Sequence, residues 1–159
     1  MIAPVYEKQT QTNWCWAACV RMAGSAFGCN VPIQCDLATQ FLNVSGCCTA
    51  PSSQACNKAL DAPLIPGLYA AFGMQASSAP TTDPALQQAL AAGGLVLVLY
   101  DLGVEYHFAL LTGYAGGSYA VDDPDYGSSS VAYDQIASAY GLGSLLNAWI
   151  IGPRPTSQG

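Results

Sequence analysis

The spacing of apolar positions changes along the chain, from helical periodicity near the N-terminus to short continuous runs near the C-terminus. Residues 17–26 are rich in helix formers and stop before Gly28, a residue type that can close a helix. Thr12 or Asn13 stands where an N-cap belongs. Apolar residues spaced by four predict a second helix over 33–42. We therefore expect the chain to begin with two helices.

Beyond these helices the chain becomes irregular and then alternates between helical and strand patterns. Residues 43–66 form a stretch too long for a simple connection, and we expect disulfides to keep it ordered. Ser128-Ser129-Ser130 marks an exposed loop. The remaining patterns predict helices over 66–72, 85–92 (with Asp83 as N-cap) and 133–140, and strands over 95–100, 106–112, 119–122 and 145–151.

This order of elements predicts the fold class. Helices lead and strands follow, which is typical of an α+β fold with helices packed on an antiparallel sheet. At 159 residues the chain has the length of one domain. We expect a single domain over 1–159, with a helical half at about 1–92 and a sheet half at about 93–152.

Composition excludes several classes of partner. Four basic residues against ten acidic ones give a net charge of −6, so a nucleic acid would be repelled. The longest apolar run, 95–100, is far too short to cross a membrane, and we expect no membrane insertion. Pro4, Glu7 and Lys8 interrupt any signal-peptide pattern after Met1.

The chain contains seven cysteines, an odd number. We expect up to three disulfides and one free thiol, which implies an oxidising compartment at some stage. A structural zinc site is disfavoured because there is no CxxC pair and only one histidine. We predict neither a metal nor a cofactor. The six cysteines available for pairing are Cys19, Cys29, Cys35, Cys47, Cys48 and Cys56.

The remaining cysteine, Cys15, lies where the first helix is predicted to begin. Backbone N–H groups without intrahelical partners and the helix dipole favour an anion there, and a thiolate is the nucleophilic form of cysteine. The alternative is a structural cysteine, either half of a disulfide or a small buried apolar residue.

His107 is the only histidine and lies on a predicted strand. A five-residue connection over 113–117 would place it opposite Asp123, with the two side chains on the same face. A tight turn at Gly116-Gly117 would instead place it opposite Tyr126 and send Asp123 to the other face. The alternative for a lone histidine is a structural role.

A cysteine hydrolase needs these residue types. A thiolate attacks a carbonyl, an imidazole holds the ion pair and protonates the leaving amine, and a carboxylate orients the imidazole. Gln9 and the Cys15 N–H are candidate donors to the oxyanion, although a loop glutamine can equally be exposed. Asp122 competes with Asp123 for the third role, and strand alternation sends these two residues to opposite faces.

The order of Gln9, Cys15-Trp16, His107 and Asp123-Pro124 resembles the papain-like cysteine peptidases of clan CA. It is most similar to the effector proteases of plant-pathogenic bacteria and to the leader-cleaving peptidase domains of bacteriocin exporters. The resemblance covers roughly residues 5–151. It implies an N-terminal helical half, a C-terminal antiparallel sheet and a cleft between them, with Cys15 as nucleophile, His107 as base and acid, Asp123 as orienting group and Gln9 as oxyanion donor. Mature papain-type enzymes usually orient the histidine with asparagine, so Asp123 favours the bacterial groups.

Three functional hypotheses follow. The first is a thiol endopeptidase, exported or translocated into another cell as an effector or toxin. The second is a deamidase or transglutaminase-like enzyme that uses the same triad. The third is a disulfide-stapled binding module in which Cys15 is paired. For the first we expect a monomer, a protein or peptide substrate and, for a toxin, an inhibitor or immunity protein in the producing cell. Candidate cleft residues are Tyr100, Glu105, Tyr106 and Trp149.

Overall fold

The computed structural model describes residues 1–155. No helix in this range has the length and apolar character needed to cross a membrane. The helices are α1 (Cys15–Phe27), α2 (Gln34–Phe41), α3 (Ile65–Ala70, entered through a 3-10 turn at Ala62–Leu64), α4 (Asp83–Ala91) and α5 (Tyr133–Ala137). The strands are β1 (Met74–Ala79), β2 (Leu95–Asp101), β3 (Tyr106–Ala115), β4 (Ser118–Asp123), β5 (Gly127–Val131) and β6 (Ser144–Pro153).

The strands form one sheet in the order β1-β6-β2-β3-β4-β5, and each neighbouring pair is antiparallel. Strand β2 is buried on both faces. Its residues Leu95, Leu97 and Leu99 pack into the core that contains α1, while the residues between them pack into a second core that contains α4. Each such burial stabilises the fold by about 1.5–3 kcal/mol. The predicted α+β class and antiparallel sheet are confirmed.

Both edge strands are absent from the sequence prediction. Strand β1 is made largely of small and polar residues, and β5 contains Ser128–Ser130. These serines are exposed as expected, but the predicted loop is wrong because they pair with β4. Edge strands need no alternating apolar pattern when most of their side chains face solvent. Because β1 precedes residue 93, the sheet extends into the half that we predicted to be helical.

Helix α1 starts two residues earlier than its run of helix formers and uses a different cap. Its N-cap residue is Trp14, which makes no side-chain capping bond, so the prediction of Thr12 or Asn13 is wrong. Both of these residues bind Asn57 instead: the Asn13 N–H donates to the Asn57 side chain at 3.0 Å, and the Asn57 amide donates to the Thr12 hydroxyl at 2.9 Å. The predicted end of the helix is correct, because Gly28 adopts a φ of 71° as the left-handed C-cap.

Two later helices differ from prediction at one end. The N-cap of α4 is Thr82 rather than Asp83, which lies in the first turn. The helix predicted over 133–140 ends at Ala137. Ala139 and Tyr140 adopt positive φ angles of 49° and 60°, which no right-handed helix allows. The chain therefore leaves α5 abruptly, and this reversal sets the position of Tyr140.

The segment between α2 and α3 is tied by two disulfides, Cys35–Cys48 and Cys47–Cys56. This confirms the expectation of a stapled loop. The expectation of a single free thiol is wrong, because there are two bridges and Cys15, Cys19 and Cys29 are all free. The loop is also held against α1, because the Trp14 indole N–H donates to the Cys56 carbonyl at 2.7 Å. The disulfides and this hydrogen bond place the loop beside the start of α1.

Removal of the Cys47–Cys56 disulfide is expected to destabilise the protein. In the chain-entropy account a bridge across so short a loop contributes about 2–3 kcal/mol. We expect the double variant Cys47→Ala/Cys56→Ala to lose this free energy of unfolding in urea titrations. Cys29→Ala, which changes a free half-buried cysteine, is the control and should lose less than half as much. Equal losses would contradict a structural role for the bridge.

Candidate active site

Cys15 is the first residue of α1 and is free. Only 3% of its surface is exposed, and the Phe108 backbone N–H points at its sulfur at 3.4 Å. The N–H groups of a first helical turn lack intrahelical acceptors and favour a negative charge. The Cys15 sulfur therefore lies at the N-terminus of α1, within hydrogen-bond distance of a backbone N–H.

Cys19 lies one turn further along α1 and is also free, but its environment is different. It is completely buried, and burial raises the pKa of its thiol well above the ordinary value, with the neighbouring Cys15 adding to the shift. Cys19 therefore stays protonated and behaves as a small apolar core residue. The binding-module hypothesis required a paired Cys15, and that premise is wrong because Cys15 is free.

The β3–β4 hairpin has the tight two-residue turn and not the five-residue connection. Ala115 pairs with Ser118 across Gly116-Gly117, and both glycines have positive φ angles. This is the register that, continued without change, would send Asp123 to the face opposite His107.

A bulge at Thr112 changes that outcome. The pairing shifts by one residue between Leu111 and Gly113, so that Leu110 pairs with Asp122. Continued by one residue, this register places Asp123 beside Ala109, which is two residues from His107 and on its face of the sheet. The bulge thus brings together two residues that the turn alone would separate.

His107 and Asp123 form a buried hydrogen-bonded pair. The His107 Nε2 atom lies 2.7 Å from the Asp123 Oδ1 atom, and the residues are 6% and 1% exposed. Burial works against a charged imidazole, but the hydrogen bonds with Asp123 and Cys15 outweigh it and raise the pKa of His107 to about 10. Since Nε2 faces Asp123, Nδ1 is the ring nitrogen left for the Cys15 sulfur.

The Asp123 carboxylate accepts three further hydrogen bonds. Oδ1 accepts from the backbone N–H groups of Asp125 and Tyr126, at 2.9 and 3.1 Å. Oδ2 accepts from the Tyr140 hydroxyl at 2.8 Å. Burial would raise the pKa of this carboxyl, but the His107 imidazole and the backbone donors outweigh that effect and lower it. Asp123 is therefore held as a carboxylate.

Asp122 does not share this environment. Its Oδ1 accepts from the Ser128 hydroxyl at 2.8 Å, and it faces the other side of the strand. Of the two competing acidic residues, the structure thus brings Asp123 to the histidine.

Gln9 is held beside the Asp123 turn. Its backbone N–H donates to the Pro124 carbonyl at 3.0 Å. Both hydrogens of its side-chain amide are used within its own loop, in bonds to the Gln11 and Thr12 carbonyls at 3.1 and 2.8 Å. Its Oε1 atom is buried without a partner. The donor role predicted for Gln9 stays a prediction, because a substrate oxygen would have to replace one of these carbonyls.

A groove of about 420 Å³ opens at Cys15. One wall is the segment 59–63, which follows the Cys47–Cys56 bridge, and the other is the face of β2, β3 and β6. Tyr106 lines the groove as predicted, whereas Tyr100 and Trp149 are buried in the cores and Glu105 is exposed in the β2–β3 turn. The larger apolar side chains in the groove are Leu60, Pro63, Leu99, Phe108 and Leu146, and Asp61 also lines it.

Other concave and ligand-like features lack comparable chemistry. A larger groove of about 590 Å³ lies between α4 and β6, and no titratable side chain lines it. Among residues 1–155, Cys35, Asp36 and Cys48 form the one cluster of three potential metal ligands. Its two sulfurs are joined in a disulfide and so offer no thiolate to a metal.

The His107–Asp123 pair predicts how the stability of the fold depends on pH. The folded pKa of His107, about 10, exceeds its unfolded value of about 6.5. The stabilisation of the folded state by protonated His107 is therefore complete below pH 6.5 and is lost as pH rises towards 10. Each kcal/mol lost should lower the Tm by about 2–4 °C. In Cys15→Ala, where no thiol titrates beside the imidazole, calorimetry from pH 6 to 10 should show a falling Tm, and the further substitution His107→Gln should flatten the profile; parallel profiles would contradict the His107–Asp123 pair.

The helix-borne cysteine, the strand-borne histidine and the antiparallel sheet define a class. The chain has the fold of papain-like cysteine peptidase domains, which confirms the fold that the sequence resemblance implied.

Two solved structures show this likeness over nearly the whole chain. One is a double glycine motif protease from an AMS/PCAT transporter, in complex with the leader peptide: the identity is 15%, the TM-score 0.62, and the match covers 94% of this chain and 91% of that one. The other is the peptidase domain of Streptococcus ComA, a bifunctional ABC transporter involved in a quorum sensing pathway, with 13% identity, a TM-score of 0.65, and coverage of 95% and 98%. No family model and no curated protein matches the sequence.

Proposed function

We propose that this protein is a papain-like thiol endopeptidase that cleaves a protein or peptide substrate, with Cys15 as nucleophile, His107 as acid and base, and Asp123 as orienting group. One observation carries the proposal. The Cys15 sulfur lies at the start of α1, beside the buried His107–Asp123 pair, and opens onto an apolar groove. Nucleophile, base and orienting carboxylate in this relation are what acyl transfer through a thiol requires.

The acylation step follows from the geometry. The Cys15 thiolate attacks the scissile carbonyl carbon and forms a C–S bond, while the carbonyl electrons move to oxygen. As the intermediate collapses, the C–N bond breaks and the His107 imidazolium gives its Nδ1 proton to the leaving amine. Asp123 holds the ring through Nε2 and stabilises its positive charge.

Deacylation reverses the proton path. A water molecule attacks the thioester, and neutral His107 takes its proton at Nδ1. The C–S bond then breaks, the product leaves as a carboxylic acid, and the Cys15 thiolate and the imidazolium are restored. The high pKa of His107 favours this resting ion pair near neutral pH.

The oxyanion requires donors at the helix start. The Cys15 backbone N–H belongs to the first turn of α1 and has no intrahelical acceptor. We propose the Gln9 side-chain amide as the second donor. On substrate binding it would give up its longer hydrogen bond, to the Gln11 carbonyl, and donate to the substrate oxygen instead.

The groove supports a peptide as substrate. Its walls are mostly apolar, with Asp61 as the one acidic residue among them, so they fit the apolar side chains of an extended peptide. A structural neighbour is in complex with a leader peptide, which is the class of ligand we propose here.

The two disulfides support an oxidising destination, and we propose that the protein is secreted or translocated into another cell. The effector or toxin role, and with it an inhibitor in the producing cell, rests on the sequence resemblance.

The proposal is tested with a peptide that carries a double-glycine motif preceded by apolar residues, mixed with wild-type protein or Cys15→Ala. Mass spectrometry should find new termini with the wild type alone. A mass increase of about one dalton at glutamine without new termini would favour the deamidase, because thioester chemistry is common to both enzymes. If neither new termini nor the one-dalton shift were found, either with this peptide or with a proteome digest, the enzymatic role would be contradicted.

A further inference from the structure

Tyr140 is the residue that the sequence analysis did not identify and that touches the proposed machinery most directly. Its hydroxyl donates to Asp123 Oδ2 at 2.8 Å, on the carboxylate oxygen opposite the one that binds His107. We propose that Tyr140 is a positioning residue that locks the plane of the Asp123 carboxylate and thereby the orientation of the His107 ring. This inference rests on the proposed function and extends it by one residue.

The backbone supports the assignment. Ala139 and Tyr140 both adopt left-handed conformations, with φ of 49° and 60°, and two adjacent non-glycine residues there are energetically costly. The Tyr140 N–H donates to the Gln135 carbonyl at 2.7 Å, which fixes the reversal after α5. Strained backbone persists where the surrounding structure requires it, and here its result is to aim one hydroxyl at Asp123.

Aromatic contacts fix the Tyr140 ring on two sides. It packs edge-to-face against Tyr100 with ring centroids 5.4 Å apart, and against Tyr126 at 5.7 Å. Tyr126 in turn packs edge-to-face on His107 at 5.8 Å. The hydroxyl is therefore presented by a rigid ring, which is what a positioning role requires.

Loss of the hydroxyl has a specific expected consequence. In Tyr140→Phe the buried Oδ2 atom loses its donor, and a carboxylate in that position turns towards water or the remaining N–H donors. The hydrogen bond between Asp123 Oδ1 and His107 Nε2 is then formed for only part of the time. The imidazolium is less stabilised, so the His107 pKa falls and the ion pair with Cys15 weakens.

The test uses the single histidine as a probe. Because His107 is the only imidazole, its ring signals in NMR spectra need no assignment, and they report its pKa without any substrate. Tyr140→Phe should lower that pKa by about one unit or more. With the double-glycine peptide it should lower kcat about tenfold at pH 7 and leave KM unchanged, because Tyr140 does not line the groove.

Two matched controls separate positioning from general destabilisation. Tyr133→Phe removes a 2.7 Å bond from the other tyrosine of the α5 region to the Thr81 carbonyl, and Tyr6→Phe removes a 2.7 Å bond to the Asp123 main-chain carbonyl. Both should leave the His107 pKa within about 0.3 units of wild type. A Tyr140→Phe variant that matches them in pKa and kcat would overturn the inference. If Tyr140→Phe lowered the His107 pKa but the wild-type protein cleaved no peptide, the positioning role would be supported and the peptidase function contradicted.

Discussion

Cys15→Ala is expected to reduce peptide cleavage by about 10⁴-fold or more, because removal of a nucleophile leaves only binding and oxyanion stabilisation. The fold should survive. Cys15 is small and buried at a helix start, and alanine is a good helix former, so the Tm should change by only about 2–4 °C. Cleavage is measured by chromatography of peptide products, and the Tm by calorimetry.

Cys19→Ala is the matched control, since it changes the same residue type one turn further along α1. Cys19 is fully buried in the core and is kept protonated by that burial. This variant should lose stability and keep its activity below its Tm. The opposite result, in which Cys19→Ala is inactive and Cys15→Ala is active, would show that Cys15 is not the nucleophile.

The second large effect is expected for Asp123→Ala, with kcat about 10²–10⁴-fold lower. Without the carboxylate the His107 ring is no longer oriented and its positive charge is not stabilised. The substitution also leaves the Tyr140 hydroxyl and two backbone N–H groups without their acceptor, which costs about 1–3 kcal/mol for each buried group that stays unpaired. Kinetics should therefore be measured well below the reduced Tm.

Asp122→Ala is the control, since it removes the neighbouring carboxylate. Asp122 accepts a hydrogen bond from Ser128 on the other face of β4, so its loss should change kcat by less than about twofold. If both aspartate variants lost activity equally, the effect would come from net charge or from the turn and not from contact with His107.

The fold class was predictable because its signals are local. The β2 strand is continuously apolar, α4 carries proline in its first turn, and Gly28 closes α1. The edge strands were not predictable, because β1 and β5 consist largely of small or polar residues and exist through pairing with β6 and β4. Hydrogen bonds to a neighbouring strand leave no pattern in the sequence of an edge strand.

The candidate site shows a more specific limit. The pairing of His107 with Asp123 was considered for one turn geometry, and the structure achieves it with the other, through a bulge at Thr112. A bulge depends on the whole ladder and carries no fixed sequence signal. Tyr140 was hidden for a similar reason: its pattern continues a helix, whereas its backbone reverses. The one signal available was a tyrosine close to Gly141, a residue suited to a sharp turn.

The disulfide pattern was predictable in kind but not in detail. Clustered cysteines within residues 19–56 indicated a stapled loop, and an odd number indicated a free thiol. Which cysteines pair depends on the distances between them. Cys19 is enclosed in the core, while Cys47 and Cys48 face two different partners from adjacent positions.

The proposal rests on Cys15 as a nucleophile activated by the His107 imidazole, and alkylation by iodoacetamide at pH 6 tests this most directly. An ordinary thiol is almost entirely protonated at that pH and reacts slowly. We expect peptide mapping to find the label on Cys15 before Cys29, and we expect His107→Gln to slow labelling of Cys15 about tenfold or more. Labelling of Cys29 alone, or an unchanged Cys15 rate in His107→Gln, would contradict the account.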